Sequence, residues 1–156
     1  MERHQVTARV PATTGNLGPG FDCLGMALEW WNDVHMNVSS SPEVRIVGEG
    51  TNTLSTAEDN LVYRSAQILF SEAGEGPHPL SILCENRIPL ARGLGSSAAA
   101  VVGSLMAANA LCSRPLDQQY LLNLAVRIEG HADNVAPALL GGCQVVIQDG
   151  NDIISD

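Results

Sequence analysis

The sequence predicts an α+β fold, on three observations. Short alternating apolar segments crowd the first third of the chain. After residue 60, helical patterns are mixed with further strands. The 156 residues are 45% hydrophobic and only 16% charged, which suits one globular domain with a sizeable core. A chain of this length buries roughly 70% of its unfolded surface on folding.

Taken in order, residues 5–10 alternate as a strand and lead into a Gly-rich loop over 11–25. Strands follow at 26–31 and 34–39, and Asn32-Asp33 between them reads as a hairpin turn. A short strand at 43–47 ends at Gly48 and Gly50, and polar residues 51–59 form a loop. Asp59-Asn60 is placed to cap a helix over 61–73, which Gly74, Gly76 and Pro77 terminate. Residues 80–87 alternate as a strand before a second Gly-rich loop at 89–97. The run 98–112, rich in Ala, Val, Leu and Met, reads as a largely buried helix that Pro115 breaks. Another helix starts at Leu116-Asp117 and runs to Ile128, with Leu121, Leu124, Ala125 and Ile128 on one face. A loop over 129–134, a helical turn at 137–140 and a strand at 144–148 complete the pattern.

The charge balance narrows the partners. Seventeen acidic residues against eight basic ones give a net charge of -9, which argues against nucleic acid and anionic membranes. Every basic residue is Arg, so a P-loop lysine is impossible, and phosphate chemistry must use backbone amides, Arg or a metal. The four cysteines, at 23, 84, 112 and 143, have no CxxC spacing. Cys112 and Cys143 lie in apolar sequence and read as buried free thiols of a reducing, cytoplasmic protein. No secretory signal opens the chain, and no segment reaches the roughly 18 apolar residues of a membrane span.

Three segments carry candidate chemistry. In Pro89-Leu90-Ala91-Arg92-Gly93-Leu94-Gly95-Ser96-Ser97-Ala98-Ala99, two glycines permit close backbone approach and two serines suit a helix N-cap. The uncharged helix that follows offers free N–H groups and roughly half a positive charge at its start, an anion site without lysine. A plain serine-capped turn before a buried helix is the alternative. The loop 11–25 holds four glycines in eleven residues, with Asn16 and Asp22 as polar groups to aim at a ligand; an Asx-turn beside a solvated Asp22 is the alternative. Glu129, His131, Asp133 and Asn134 crowd into six residues. Zinc would need more imidazole or thiolate, whereas magnesium needs few carboxylates beside substrate phosphates, so Glu129 with a serine hydroxyl would suffice. A helix C-terminus with a polar turn is the alternative there.

Together these segments resemble the GHMP kinase superfamily. The 89–99 stretch is similar to its ATP-binding motif, and residues 16–25 and 131–138 resemble the homoserine kinase branch. The resemblance implies a two-layer α+β domain, a mixed sheet with helices on one side and a ribosomal-protein-like left-handed βαβ unit. It implies Mg-ATP-dependent phosphorylation of the homoserine hydroxyl, a step toward threonine. By resemblance Pro89, Arg92, Gly93, Leu94, Gly95, Ser96, Ser97 and Ala98 belong to the ATP site, with Ser96 or Ser97 near magnesium and Glu129 its carboxylate. Asn16, Asp22, His131 and Asn134 correspond to substrate-pocket positions, and Asn60 to the approach of the adenine. Related mevalonate kinases place an Asp near the reacting hydroxyl; here that position is Asn134, which cannot act as a base.

Relatives run to about twice this length. Their second Gly-rich phosphate loop and the C-terminal Arg residues expected to grip the homoserine carboxylate have no counterpart here. The 156 residues are therefore expected to be the N-terminal ATP-binding domain, to have little kinase activity alone, and to self-associate or form a homodimer through an apolar inter-domain face. Two alternatives remain open at this stage: another GHMP-type kinase of the mevalonate pathway, and a non-catalytic nucleotide-binding module.

Overall fold

A computed structural model describes residues 5–150 and 152–156. Two long strands, β1 (Gln5–Leu17) and β2 (Gly20–Val38), form an antiparallel hairpin whose tip is Gly18-Pro19. β3 (Glu43–Gly48) leads through a long loop to α1 (Leu61–Glu72), and β4 (Leu80–Asn86) returns parallel to β3. Then come α2 (Ser96–Leu111), α3 (Gln118–Glu129), α4 (Ala132–Leu140) and the hairpin of β5 (Cys143–Asp149) and β6 (Asp152–Ser155).

The mixed sheet runs in the order β3-β4-β2-β5-β6. β1 occupies one edge of β2 along nearly its whole length. The other edge is divided: Asp33–Val38 pair with β4, and Leu24–Met26 pair with β5. β1 is thus an edge strand, which tolerates Pro11 and its missing donor. The register slips beside Pro11, where Pro11 faces Trp31 but Ala12 faces Leu28.

Burial follows the strand period of two. Ala8, Val10, Val34, Met36, Val44, Ile46, Leu80 and Ile82 are buried beneath the helices. Thr7, Arg9, His35 and Glu85 alternate with them and carry polar groups. The result is two layers, with helices on one side of the sheet. α2 is apolar all round because it is central: Ala98, Val101, Val102, Leu105 and Ala108 are buried, and it packs against α1, α3, α4, β1 and β2. Truncating a side chain such as Leu105 to Ala would cost about 2–5 kcal/mol.

Several local expectations are corrected. Asn32-Asp33 is not a turn; both residues are buried inside one continuous β2. Asn32 Oδ1 accepts from the backbone N–H of Arg87 at 2.7 Å and of Ile88 at 2.9 Å, so it satisfies the chain leaving β4. The Asp33 carboxylate accepts from Arg9 at 2.8 and 3.1 Å and from Arg87 at 2.8 Å. Those guanidinium groups, Arg9 foremost, hold its pKa down at about 2. The polar dipeptide resembles a hairpin turn locally, yet its partners lie on another strand and beyond the end of β4. The 11–25 loop is likewise mostly paired strand. Residues 132–140 form a full helix rather than a loop and one turn, and β6 extends the sheet beyond the expected last strand. Cys112 is buried, but Cys143 is exposed because it opens β5 at the surface.

Candidate functional site: an anion cradle between a cavity and a polar hairpin

After β4, buried Ile88 anchors the chain, Pro89 and Leu90 are half-buried, and Ala91, Arg92 and Gly93 reach solvent. Ala91, Gly93 and Gly95 all have positive φ, of 54°, 69° and 63°. The expected serine cap is absent: Gly95 is the N-cap of α2 and no side chain bonds its first amides. Those N–H groups are therefore free for an anion, at the end of a helix whose first turn holds no acidic residue. Gly95 also has no room for a side chain, since a Cβ there would lie 1.9 Å from Thr13 Oγ1. The Thr13 N–H donates to Leu94 O at 3.1 Å, tying the loop to β1.

In the first turn of α2, the Ser97 hydroxyl donates to Glu129 Oε2 at 2.7 Å. Glu129 is the last residue of α3, which stops there because Gly130 takes a left-handed C-cap. The pair joins two helices beside the free amides. All its donors are oxygens, and no cluster of three or more His, Cys, Asp or Glu suited to a metal occurs among the described residues. That set fits magnesium, which takes one or two carboxylates and fills its remaining positions with phosphate oxygens and water. It does not fit zinc.

On the other side of Gly95, the β1–β2 hairpin meets the start of α4. Asn16 and Asp22 both have φ near 58°, and Asn16 Oδ1 accepts from the Asp22 N–H at 2.9 Å. The Asn16 N–H donates to Asp133 Oδ2 at 3.2 Å. Asn134 Oδ1 accepts from the Thr13 hydroxyl at 3.0 Å, and Asn134 Nδ2 donates to Asp133 Oδ1 at 3.3 Å. His131 is the N-cap residue of α4, exposed and with no side-chain bond to the helix.

A cavity of about 320 Å³ opens on the opposite flank of the cradle. Its walls include Ile46, Leu54, Cys84 and Leu90, and Ser96 and Ser97 form its floor toward α2. Asn60 lines it and caps α1, accepting from the Val62 N–H at 2.9 Å and donating to Ser55 O at 2.6 Å. An apolar slot that ends on a row of free helix amides suits a flat aromatic base carrying a phosphate chain.

The fold thus gathers the residues singled out in the sequence into three adjoining parts. Asn60, Ser96 and Ser97 border the cavity. Gly95, Ser97 and Glu129 form the cradle. Asn16 and Asn134 meet through Asp133, with Asp22 bonded to Asn16 and His131 opening the same helix. Arg92 is exposed and makes no ion pair among the described residues. Ala98 is buried under the helix start and serves packing. Sequence reasoning missed Thr13 and the positioning contacts of Asp133, as well as the cavity walls Asn32, Ile46, Leu54 and Asn86. The nearest available signal was Asp133 itself, an acid in the first turn of the short helix that carries Asn134.

Comparison with known proteins identifies the family of this fold. The family described as the GHMP kinases N terminal domain matches residues 60–142. A homoserine kinase of Moorella thermoacetica is 51% identical over 146 residues, covering 94% of this chain and 49% of that protein. One from Carboxydothermus hydrogenoformans is 50% identical, over 90% of this chain and 46% of its own length. The crystal structure of a homoserine kinase from Cytophaga hutchinsonii superposes with a TM-score of 0.84 at 31% identity, over 97% of this chain and 51% of that one. The chain therefore spans about half the length of the relatives it matches. No helix among the described residues is long and apolar enough to cross a membrane. By the match over 60–142 and the fold that carries it, this chain belongs to the GHMP kinases, as an N-terminal domain of that family.

Proposed function

We propose that this chain is the nucleotide-binding half of an ATP-dependent kinase that phosphorylates the hydroxyl of L-homoserine, a cytoplasmic step toward threonine. The observation that carries the proposal is the Ser97–Glu129 hydrogen bond, set between the free amides of α2 and the mouth of an apolar cavity. In this reading the cavity takes the adenine beside Asn60, and the amides from Gly95 onward bind the phosphates. Ser97 and Glu129 hold magnesium, which neutralises phosphate charge when bound. Asn16, Asp22, His131 and Asn134 line the acceptor side. The homoserine oxygen attacks the γ-phosphorus, the bond to the bridging oxygen of ADP breaks, and the hydroxyl proton passes to solvent. Asn134 cannot take that proton, so positioning and charge neutralisation dominate the catalysis. A second copy of the chain, or the remainder of a longer protein, would cover Val145, Ile147 and Ile154, large apolar side chains left exposed on the terminal hairpin.

The test has two arms. Calorimetric titration of the chain with ATP is expected to give tighter binding with magnesium than without it, and Glu129→Gln is expected to abolish that difference. A magnesium effect that survives Glu129→Gln overturns the metal assignment. A chimera with the C-terminal half of the Moorella thermoacetica relative, assayed for ADP release, is expected to turn over with homoserine and not with mevalonate. The reverse preference overturns the substrate assignment.

A further inference from the structure

Asn134 is an amide whose two ends look alike in shape but are opposite in chemistry. Which end faces which neighbour is set here by the Asp133 carboxylate, since the Thr13 hydroxyl can donate or accept. An ionised carboxylate only accepts hydrogen bonds. Asp133 is 2% exposed, and its Oδ2 already accepts from the Asn16 N–H, so the group 3.3 Å from its Oδ1 must be a donor. That donor is Asn134 Nδ2. The oxygen of the amide then turns to Thr13, whose hydroxyl donates to it at 3.0 Å. Thr13 is itself fully buried and held by its own N–H on Leu94 O.

The cluster also sits directly against two glycines. A Cβ at Gly15 would fall 2.1 Å from Asp133 Oδ2 and 2.9 Å from Asn134 Nδ2. The nitrogen end therefore abuts the hairpin, and the oxygen end abuts the cradle, 3.3 Å from where a Cβ would stand on Gly95.

We propose that Thr13 and Asp133 are positioning residues that lock the Asn134 amide in one orientation, its oxygen committed to the phosphate loop and its N–H end turned to the acceptor hairpin. The position then acts as a hydrogen-bond donor toward the acceptor hydroxyl rather than as a proton acceptor. This rests on the reading that the hairpin side receives the acceptor. It also accounts for a buried Asp placed where it cannot serve as the base: its oxygens are taken by Asn16 and Asn134.

The test is nuclear magnetic resonance of the Asn134 side chain in the ¹⁵N-labelled 156-residue chain, with no acceptor substrate present. In the native protein the two Nδ2 protons are expected to be well separated in shift, the one on Asp133 exchanging slowly with water. Thr13→Val keeps the shape and removes the donor; it is expected to bring the two resonances together and speed exchange. Thr13→Ser restores the hydroxyl and is expected to restore the native pattern, which a purely steric role for Thr13 would not require. Asp133→Asn is expected to disturb the same resonances; should it fail to fold, the Thr13 pair still decides. Unchanged Asn134 resonances in Thr13→Val, or a Thr13→Ser pattern as disturbed as that of Thr13→Val, overturn the proposal. Because no arm uses homoserine, a wrong substrate assignment would show only in the turnover assay of the chimera.

Discussion

Replacing Gly95 by Ala probes the join between the cradle and β1. The backbone there has φ of 63°, and an L-residue in that region costs about 1–2 kcal/mol. The new Cβ would also lie 1.9 Å from Thr13 Oγ1, well inside contact distance. Forcing that hydroxyl aside adds overpacking of about 1–3 kcal/mol. It also weakens the Thr13 bond to Asn134, a contact worth about 1 kcal/mol. The substitution is therefore expected to cost about 3–6 kcal/mol, against a total of about 5–15 kcal/mol for a typical domain. In a Thr13→Ala background the obstructing oxygen is gone, leaving the backbone term and the milder approaches of 3.2 Å to the residue 13 Cβ and 3.3 Å to Asn134 Oδ1. The two changes should then couple by about 2–4 kcal/mol in a double-mutant cycle. Urea unfolding of the four proteins, followed by far-ultraviolet circular dichroism, measures this. A single-mutant loss below about 1 kcal/mol, or strict additivity with Thr13→Ala, would refute the steric argument.

Two further outcomes follow from the structure. Asp33 has a folded pKa of about 2, below the ordinary carboxylate value of about 3.9, so its stabilisation is present above about pH 4 and is lost as pH falls toward 2. With both guanidinium partners partly in solvent, the loss should be about 1–2 kcal/mol, and Arg9→Met should flatten the decline of the urea midpoint between pH 5 and pH 2. Among the cysteines, burial pushes the thiols of Cys84 and Cys112 up to about 11, while Cys143 is exposed. At pH 8 a thiol-disulfide reagent should therefore modify Cys143 in the folded chain, and Cys84 and Cys112 only after denaturation; rapid labelling of Cys84 would contradict the packing.

The parts of the fold legible in the sequence are those set by local chemistry. The Asn60 cap, the apolar α2 and the glycines of the cradle each follow from neighbouring residues. What the sequence concealed depends on distant partners. Asn32-Asp33 is a polar pair in a strand because Arg9, Arg87 and the backbone beyond β4 satisfy it, and Arg87 lies 54 residues from Asp33. The serines look like caps, yet Gly95 takes that place because Thr13 fills the space a side chain would need. α4 was obscured by Pro137, which breaks most helix interiors. The Ser97–Glu129 pair was visible as residue types, whereas the Thr13–Asn134–Asp133 network joins residues more than a hundred apart.

That difference in span bears on the order in which the site assembles. The Ser97–Glu129 bond closes 32 residues, but Asn16–Asp133 and Thr13–Asn134 close 117 and 121. Loop-closure entropy grows with length, so the Ser97–Glu129 pair can close within residues 97–129, whereas the Asn16–Asp133 and Thr13–Asn134 bonds wait for distant parts of the chain to meet. Sub-global opening should reverse that sequence, and hydrogen exchange would read it as weaker protection of the Asn16 amide than of the Ala99 amide on Gly95 O. A site built this way has its Ser97–Glu129 pair ready before the hairpin contacts of Asn16 and Asn134 are in place.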